Sequence, residues 1–300
     1  MFPSFLPSEV DFLTESTSIA LAQNIQRQEI LTPLCETAIG SSFACQGSGN
    51  PPIMLLHGFD GSLFEFRRLL PLLAAQTETW AVDLLGFGFS DRLAEIPVTP
   101  QAIKTHLYYF WKTQISRPMI LLGVSMGGAA AIDFTLSHPE AVEKLILIDS
   151  AGFAKGPILG KFMIPPLGYL ATEFLRNPNV RQQISLKAYF DKRLASEDAA
   201  TCAALHLKMP RWNQGTIEFT RSGGYNFLAD KIATIDKETL ILWGENDKIL
   251  GTKDAAKFEK AIAKGKLIWI PNCGHVPHLE QPEITADRIL TWSFGQAIEP

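Results

Sequence analysis

Six short runs along the chain are almost wholly apolar: Ile53–Leu56, Thr79–Val82, Met119–Leu122, Leu145–Ile148, Thr239–Leu242 and Leu267–Ile270. Each is dominated by Ile, Leu, Val or Trp, with little polar alternation, as expected of strands buried on both faces. Between them the pattern turns helical, over Leu63–Ala75, Pro100–Ile115, Ser125–Ser137 and Thr252–Ala263, with Pro282–Phe294 after the last run. Strand–helix alternation of this kind predicts a parallel sheet covered on both faces. Upstream, Glu9–Gln28 reads as one amphipathic helix with Val10, Leu13 and Ile25 on its apolar side. Glu29–Gln46 reads as two strands, with Gly40 as a bend.

One interval breaks the rhythm. About ninety residues separate Leu145–Ile148 from Thr239–Leu242, far more than a crossover needs. Residues 152–230 therefore read as an inserted, mostly helical cap. The remainder divides into an N-terminal helical extension (1–28) and two core segments (29–151 and 231–300). The insert is rich in aromatics, among them Phe153, Phe162, Tyr169, Phe174, Trp212 and Phe219. That composition suits either a small hydrophobic core or an apolar lid.

Charge adds one refinement. The net charge is −4, but the insert holds ten Lys/Arg and six Asp/Glu, so it carries +4 and the rest −8. Neither the total nor the acidic core makes a case for nucleic-acid binding. Hydrophobic residues at 46 % and charged residues at 19 % describe an ordinary globular chain. The four cysteines are far apart, with no metal-ligand spacing, which argues against structural zinc and for reduced thiols. The N-terminus lacks the basic and apolar segments of a secretory signal, and no apolar run approaches membrane-spanning length. A cytoplasmic protein is expected, with contact between the cap and a membrane surface left open.

The chemistry begins at Gly123-Val124-Ser125-Met126-Gly127-Gly128, between an apolar run and an Ala-rich helical stretch. A serine on a sharp strand-to-helix turn needs small residues two positions either side, and both are glycine. A bare GxSxG arises by chance about 0.1 times in a chain this long. The helix N-terminus behind Ser125 favours a developing oxyanion.

Three further segments complete a pattern. His57-Gly58-Phe59-Asp60-Gly61-Ser62 follows the first run, Trp243-Gly244-Glu245-Asn246-Asp247 the fifth, and Asn272-Cys273-Gly274-His275 the sixth. In this order, each after a strand, they resemble the α/β-hydrolase superfamily across nearly the whole chain. The resemblance implies an eight-stranded, mostly parallel sheet with a helical cap. It also implies a Ser125–Asp247–His275 triad, with the N–H groups of Phe59 and Met126 as oxyanion hole. His57 is then a structural residue that fixes its loop, and His278 a weak competitor as base. Asp149 occupies an alternative acid position, and Glu245 is a turn residue. Gly274 is expected to let its loop approach Ser125. Asp83-Leu84-Leu85-Gly86-Phe87-Gly88-Phe89-Ser90 also resembles a superfamily segment and reads as structural, since its glycines do not form a dinucleotide fingerprint.

The resemblance implies a serine hydrolase acting on an apolar ester through an acyl-enzyme, without metal or organic cofactor. Phe59, Asp60, Phe153 and Trp212 are the candidate substrate contacts. Serine at the elbow argues against dehalogenase and epoxide hydrolase chemistry, which use Asp there. Several segments are similar to cyanobacterial and plastid α/β-hydrolases, a group that includes chlorophyll and pheophytin dephytylases. Alternatives on the same fold are a C–C bond hydrolase, a cofactor-free haloperoxidase or perhydrolase, and a small-molecule receptor with a retained triad. Oligomeric state is not readable from the sequence.

Overall fold

The computed structural model describes residues 1–153 and 166–295. Phe162, among the predicted cap aromatics, lies outside the described residues. Eight strands form one sheet: β1 (Gln26–Ile30), β2 (Ile39–Gln46), β3 (Ile53–Leu56), β4 (Thr79–Val82), β5 (Met119–Val124), β6 (Val142–Ile148), β7 (Thr239–Gly244) and β8 (Gly265–Ile270). Their spatial order is β1-β2-β4-β3-β5-β6-β7-β8. β2 runs antiparallel to both neighbours, and every pair from β4 to β8 is parallel.

Side chains alternate between two cores because successive strand residues point to opposite faces. Met119 and Leu121 of β5 enter one core, with α3 (Pro100–Gln114), α4 (Met126–Ser137) and α9 (Lys253–Ala261). Ile120, Leu122 and Val124 enter the other, with α1 (Ser16–Asn24), α2 (Leu69–Ala74) and α11 (Pro282–Phe294). Helices thus cover both faces, as the alternation predicts. Side-chain caps begin α3, where Thr99 Oγ1 accepts from Ala102 N–H, and α7 (Glu197–Ala204), where Ser196 Oγ accepts from Ala199 N–H.

Three expectations change. Residues 9–28 do not form one helix: a 3₁₀ turn (Ser8–Phe12) precedes the nine-residue α1, and β1 begins at Gln26. The break falls where Asp198 of α7 takes the N–H groups of Thr14 (2.5 Å) and Glu15 (2.9 Å). Those bonds to a distant carboxylate replace the i to i−4 bonds that would continue a helix. Gly40 is no bend but a paired residue of β2, opposite Glu29. It stays glycine because an added Cβ would lie 2.6 Å from Asp91 Oδ2. Finally, β8 is an edge strand with most residues partly exposed, and Trp269 is 38 % exposed.

Between β6 and β7 the described residues form α5 (Leu167–Arg176), α6 (Pro178–Ala188), α7 and α8 (Trp212–Arg221). α8 sits close on the core: a Cβ at Gly215 would be 2.8 Å from the Gly86 carbonyl oxygen, and Glu218 accepts the Val98 N–H at 3.0 Å. α6 differs, since none of its residues is buried.

Candidate active site

The turn from β5 into α4 holds Ser125 at φ 51° and ψ −117°, a conformation L-residues rarely adopt. Glycine on either side makes it attainable. A Cβ at Gly123 would stand 2.2 Å from the Gly127 carbonyl oxygen, and one at Gly127 would stand 2.1 Å from that of Leu56. The turn is closed by Ser125 N–H to the Ile148 carbonyl (3.0 Å). The Ser125 carbonyl in turn accepts from Gly128 N–H (3.0 Å) and Ala151 N–H (2.9 Å). Ser125 is therefore held by both β5 and β6, half-buried, at the carboxyl edge of the sheet.

The segment after β3 stands beside it, close enough that a Cβ at Gly58 would lie 3.5 Å from Ser125 Cβ. His57 fixes this loop. Its Nε2 accepts the Leu84 N–H (3.1 Å), so Nδ1 carries the proton and donates to the Gly58 carbonyl (2.8 Å). Burial pushes the His57 imidazole down to about 4, so it stays neutral in that role. A trans peptide places its N–H opposite its carbonyl. Pinning the Gly58 oxygen thereby turns the Phe59 N–H the other way. Neither the Phe59 N–H nor the Met126 N–H meets an acceptor among the described residues, and Met126 opens a helix whose first N–H groups have no intrahelical partner.

Two structural layers lie beneath. Asp83 Oδ1 and Oδ2 accept from Leu63 N–H (2.7 Å) and Phe89 N–H (2.8 Å), and Gly88 N–H reaches the Gly61 carbonyl at 3.2 Å. Burial raises Asp83 to about 7 against the pull of those donors. Arg92 straps the same loop by bonds to the carbonyls of Gly86, Gly88 and Ser90. The Asp83–Ser90 segment is thus a scaffold for the loop above it.

Beyond β7 and β8, Asp247 and His275 meet: Nδ1 of His275 lies 2.9 Å from Asp247 Oδ2. The other carboxylate oxygen accepts from Ile249 N–H (2.7 Å) and Leu250 N–H (3.1 Å). Burial alone would raise Asp247, but the His275 bond and these amides outweigh it and hold the carboxyl below its ordinary value. Asp149, at φ 40° and wholly buried after β6, accepts the Gly244 N–H at 3.1 Å. Burial, together with the neighbouring Asp247 charge, pushes it well above the carboxylate range. Of the two adjacent carboxyls, Asp149 is thus the one whose neutral form is favoured, and Asp247 the one whose charge is supported. Asp149, Asp247 and His275 are also the one group among the described residues whose ligand atoms would converge on a metal, all within 4.8 Å. Asp247 and His275 already pair with each other, and Asp149 accepts from the Gly244 N–H. Ser125 Oγ makes no hydrogen bond to a described residue; such contacts are commonly long before substrate binds. His278 is unsuited to be a base here. It is fully buried against Phe66, and burial drives it down to about 3.

The four expected substrate contacts differ in how open they are. Asp60 is not free: its oxygens take Trp212 Nε1–H (2.7 Å), Arg181 Nη1–H (2.7 Å) and His206 Nε2–H (3.3 Å). Burial opposes its charge, yet His206 and Arg181 together hold it down to about 2. Burial holds the His206 imidazole below its ordinary value, against the pull of Asp60. Trp212 is 2 % exposed, with its N–H spent on Asp60 and Arg176 above its ring. Phe153 packs on Phe258 (centroids 4.8 Å) at the outer side of β7. Of the four, Phe59 alone presents a largely open face, 42 % exposed beside Phe87 and Phe219. Gly274 also has a different reason from the one expected. A Cβ there would meet the Ala188 carbonyl oxygen of α6 at 2.1 Å, so its smallness admits the cap.

Three residues without any motif matter to this geometry. Glu65 Oε2 accepts the Gly58 N–H (2.9 Å), and burial raises its carboxyl to about 7. Glu280 accepts from Gly274 N–H (2.7 Å), Phe190 N–H (3.0 Å) and Asp191 N–H (2.6 Å). Arg181 is the third. Arg181 and Glu280 are defined by contacts remote in sequence, and Glu65 by one across a turn with no motif of its own, so no local signal marks them.

Residues 53–288 match the model of the Alpha/beta hydrolase family. The chain belongs to that family. It is 36 % identical over 303 residues to the alpha/beta hydrolase domain-containing protein VTE7 of Arabidopsis thaliana, covering 98 % of this chain and 91 % of that protein. A 2-hydroxy-6-oxo-6-(2'-aminophenyl)hexa-2,4-dienoic acid hydrolase of Metapseudomonas resinovorans is 28 % identical over 84 % of this chain and 86 % of its own. In fold, a thermophilic esterase from Thermogutta terrifontis superposes with a TM-score of 0.76 at 22 % identity, over 89 % of this chain and 98 % of that one. No helix among the described residues is long and apolar enough to cross a membrane.

Proposed function

We propose that this hydrolase cleaves an ester-type bond of an apolar substrate by acyl transfer through Ser125. The observation that carries the reading is the strained Ser125 between two unsatisfied N–H donors, Phe59 and Met126, on the edge that also holds the Asp247–His275 pair. Ser125 Oγ attacks the carbonyl carbon while His275 Nε2 takes its proton. Asp247 fixes the Nδ1–H tautomer and stabilises the imidazolium. The oxyanion is received by the two amides, each worth a factor of roughly 10²–10³. His275 then returns the proton to the leaving alcohol and activates water to release the acid.

The open Phe59 face, with Phe87 and Phe219 behind it, favours an apolar substrate. Exposed Leu167, Leu170 and Phe174 on α5, on a cap of net +4, support delivery from an anionic lipid surface. C–C bond cleavage is the competing reading, favoured by the Metapseudomonas relative. Phe59-Asp60-Gly61 lacks the Gly-Pro-rich character usual in the oxyanion loops of those enzymes.

Turnover of p-nitrophenyl esters from C2 to C16 tests this, with Ser125→Ala as control. A chain-length preference toward long acids is expected. Equal rates for wild type and Ser125→Ala on every ester would overturn the ester reading, and cleavage confined to vinylogous diketones would replace it.

A further inference from the structure

The two loops that complete the site are fastened to the same cap helix. At its first turn, Arg181 of α6 donates through Nη1 to Asp60 Oδ2 (2.7 Å), in the loop that carries the Phe59 N–H. At its last residue, the Ala188 carbonyl accepts the His275 N–H (2.7 Å). Ala188 O is one of the terminal carbonyls that an α-helix leaves without an internal donor. The base-bearing loop supplies that donor. Glu280 reinforces this end by binding Gly274 N–H on the loop together with Phe190 and Asp191 N–H just past the helix. Seven residues separate the two attachments, about 10 Å along the axis.

Apolar packing holds α6 only lightly, through Leu186 beside Tyr189, Ala195 and Leu279. None of its eleven residues is buried, and Ile184 is 47 % exposed. A helix with so little apolar burial takes its place from its polar contacts. Within the cap these are Arg181 Nη2 to the Ala203 carbonyl (2.6 Å) and Gln182 Nε2 to the Ala195 carbonyl (3.2 Å); outside it they end on the two loops whose mutual placement determines whether amide donors and imidazole converge on one carbonyl.

We infer that α6 is a yoke between the oxyanion loop and the base loop, with Arg181 and Glu280 as positioning residues for Phe59 N–H and His275. The inference rests on the acyl-transfer reading above for its catalytic consequence, though the mechanical coupling does not. Trp212 and His206 still hold Asp60 when Arg181 is changed, so Arg181→Met removes the link from α6 to Asp60 together with its bond to the Ala203 carbonyl inside the cap.

Two measurements on the full chain decide it. With p-nitrophenyl acetate, too small to span the cap, Arg181→Met and Glu280→Gln should each lower kcat about 10-fold at nearly unchanged KM, as expected for sub-ångström misplacement. Arg181→Lys should recover most of the loss. The double variant should lose less than the product of the two single losses, because both act on one body. Hydrogen exchange should show Arg181→Met loosening residues 273–276 as well as 58–61, and Glu280→Gln loosening both as well. Exchange that quickens only at the mutated end would overturn the yoke, as would single losses that multiply or a rise in KM alone. If the wild type turns over no ester, the hydrolase reading falls while the exchange result still decides the coupling.

Discussion

The sheet edge and the cap are built on opposite terms. At the edge, position is enforced by exclusion: Gly123, Gly127 and Gly244 leave no room for a single methyl group, and the nearest atoms are backbone. In the cap, position is enforced by attachment: α6 buries no residue, and ionised Asp60 and buried Glu280 gather donors from several cap segments. Exclusion gives Ser125 a rigid seat. Attachment gives parts that can separate without unfolding the sheet.

Ser125→Ala should give the largest effect, a fall in kcat of at least about 10⁴-fold with unchanged melting temperature. Gly127→Ala comes next and tests exclusion. Its Cβ would stand 2.1 Å from the Leu56 oxygen, so a loss of about 3 kcal/mol or more is expected in urea unfolding. Gly223→Ala in the cap is the contrast: it has φ +84° but no atom nearer than 3.9 Å, so only the left-handed strain of about 1 kcal/mol applies. Equal losses at the two glycines would erase the distinction.

Acid tests attachment. Asp60 is held at about 2, below the unfolded value near 4, so its contribution is complete above about pH 4 and is lost as pH falls through about 2. That contribution is on the order of 2 kcal/mol. Asp60→Asn should remove this acid dependence, read as a flatter change in melting temperature between pH 4 and pH 2. The smallest effect is expected at Asp149. Burial and the Asp247 charge favour its neutral form, which can donate toward Asp247; an amide can donate there too, so Asp149→Asn should keep kcat within about 3-fold while Asp149→Ala costs about 10-fold.

What could be read from the sequence divides along the same line. β3 and β4 run over the residues their apolar runs predict, and helix α11 likewise, because complete burial leaves a continuous apolar signature. The strained turn at Ser125 and the approach of Asp247 to His275 were legible because turn sterics and strand order constrain them locally. β1 was not: Gln26–Ile30 is polar and mostly exposed, an edge strand whose identity comes from pairing with β2. The pairing of Asp60 with Trp212 was hidden for a similar reason. An exposed-looking loop acid and a cap tryptophan satisfy each other across 152 positions, a contact no local pattern encodes.

The attachments also bear on how such enzymes diversify. A cap exchanged for a foreign one would strand Asp60 and Glu280, two carboxylates that sit at the interface with their donors gone. Specificity in this scaffold is therefore not freely modular. A new lid inherits catalytic competence only if it brings an arginine for one loop and a pair of open amides for the other.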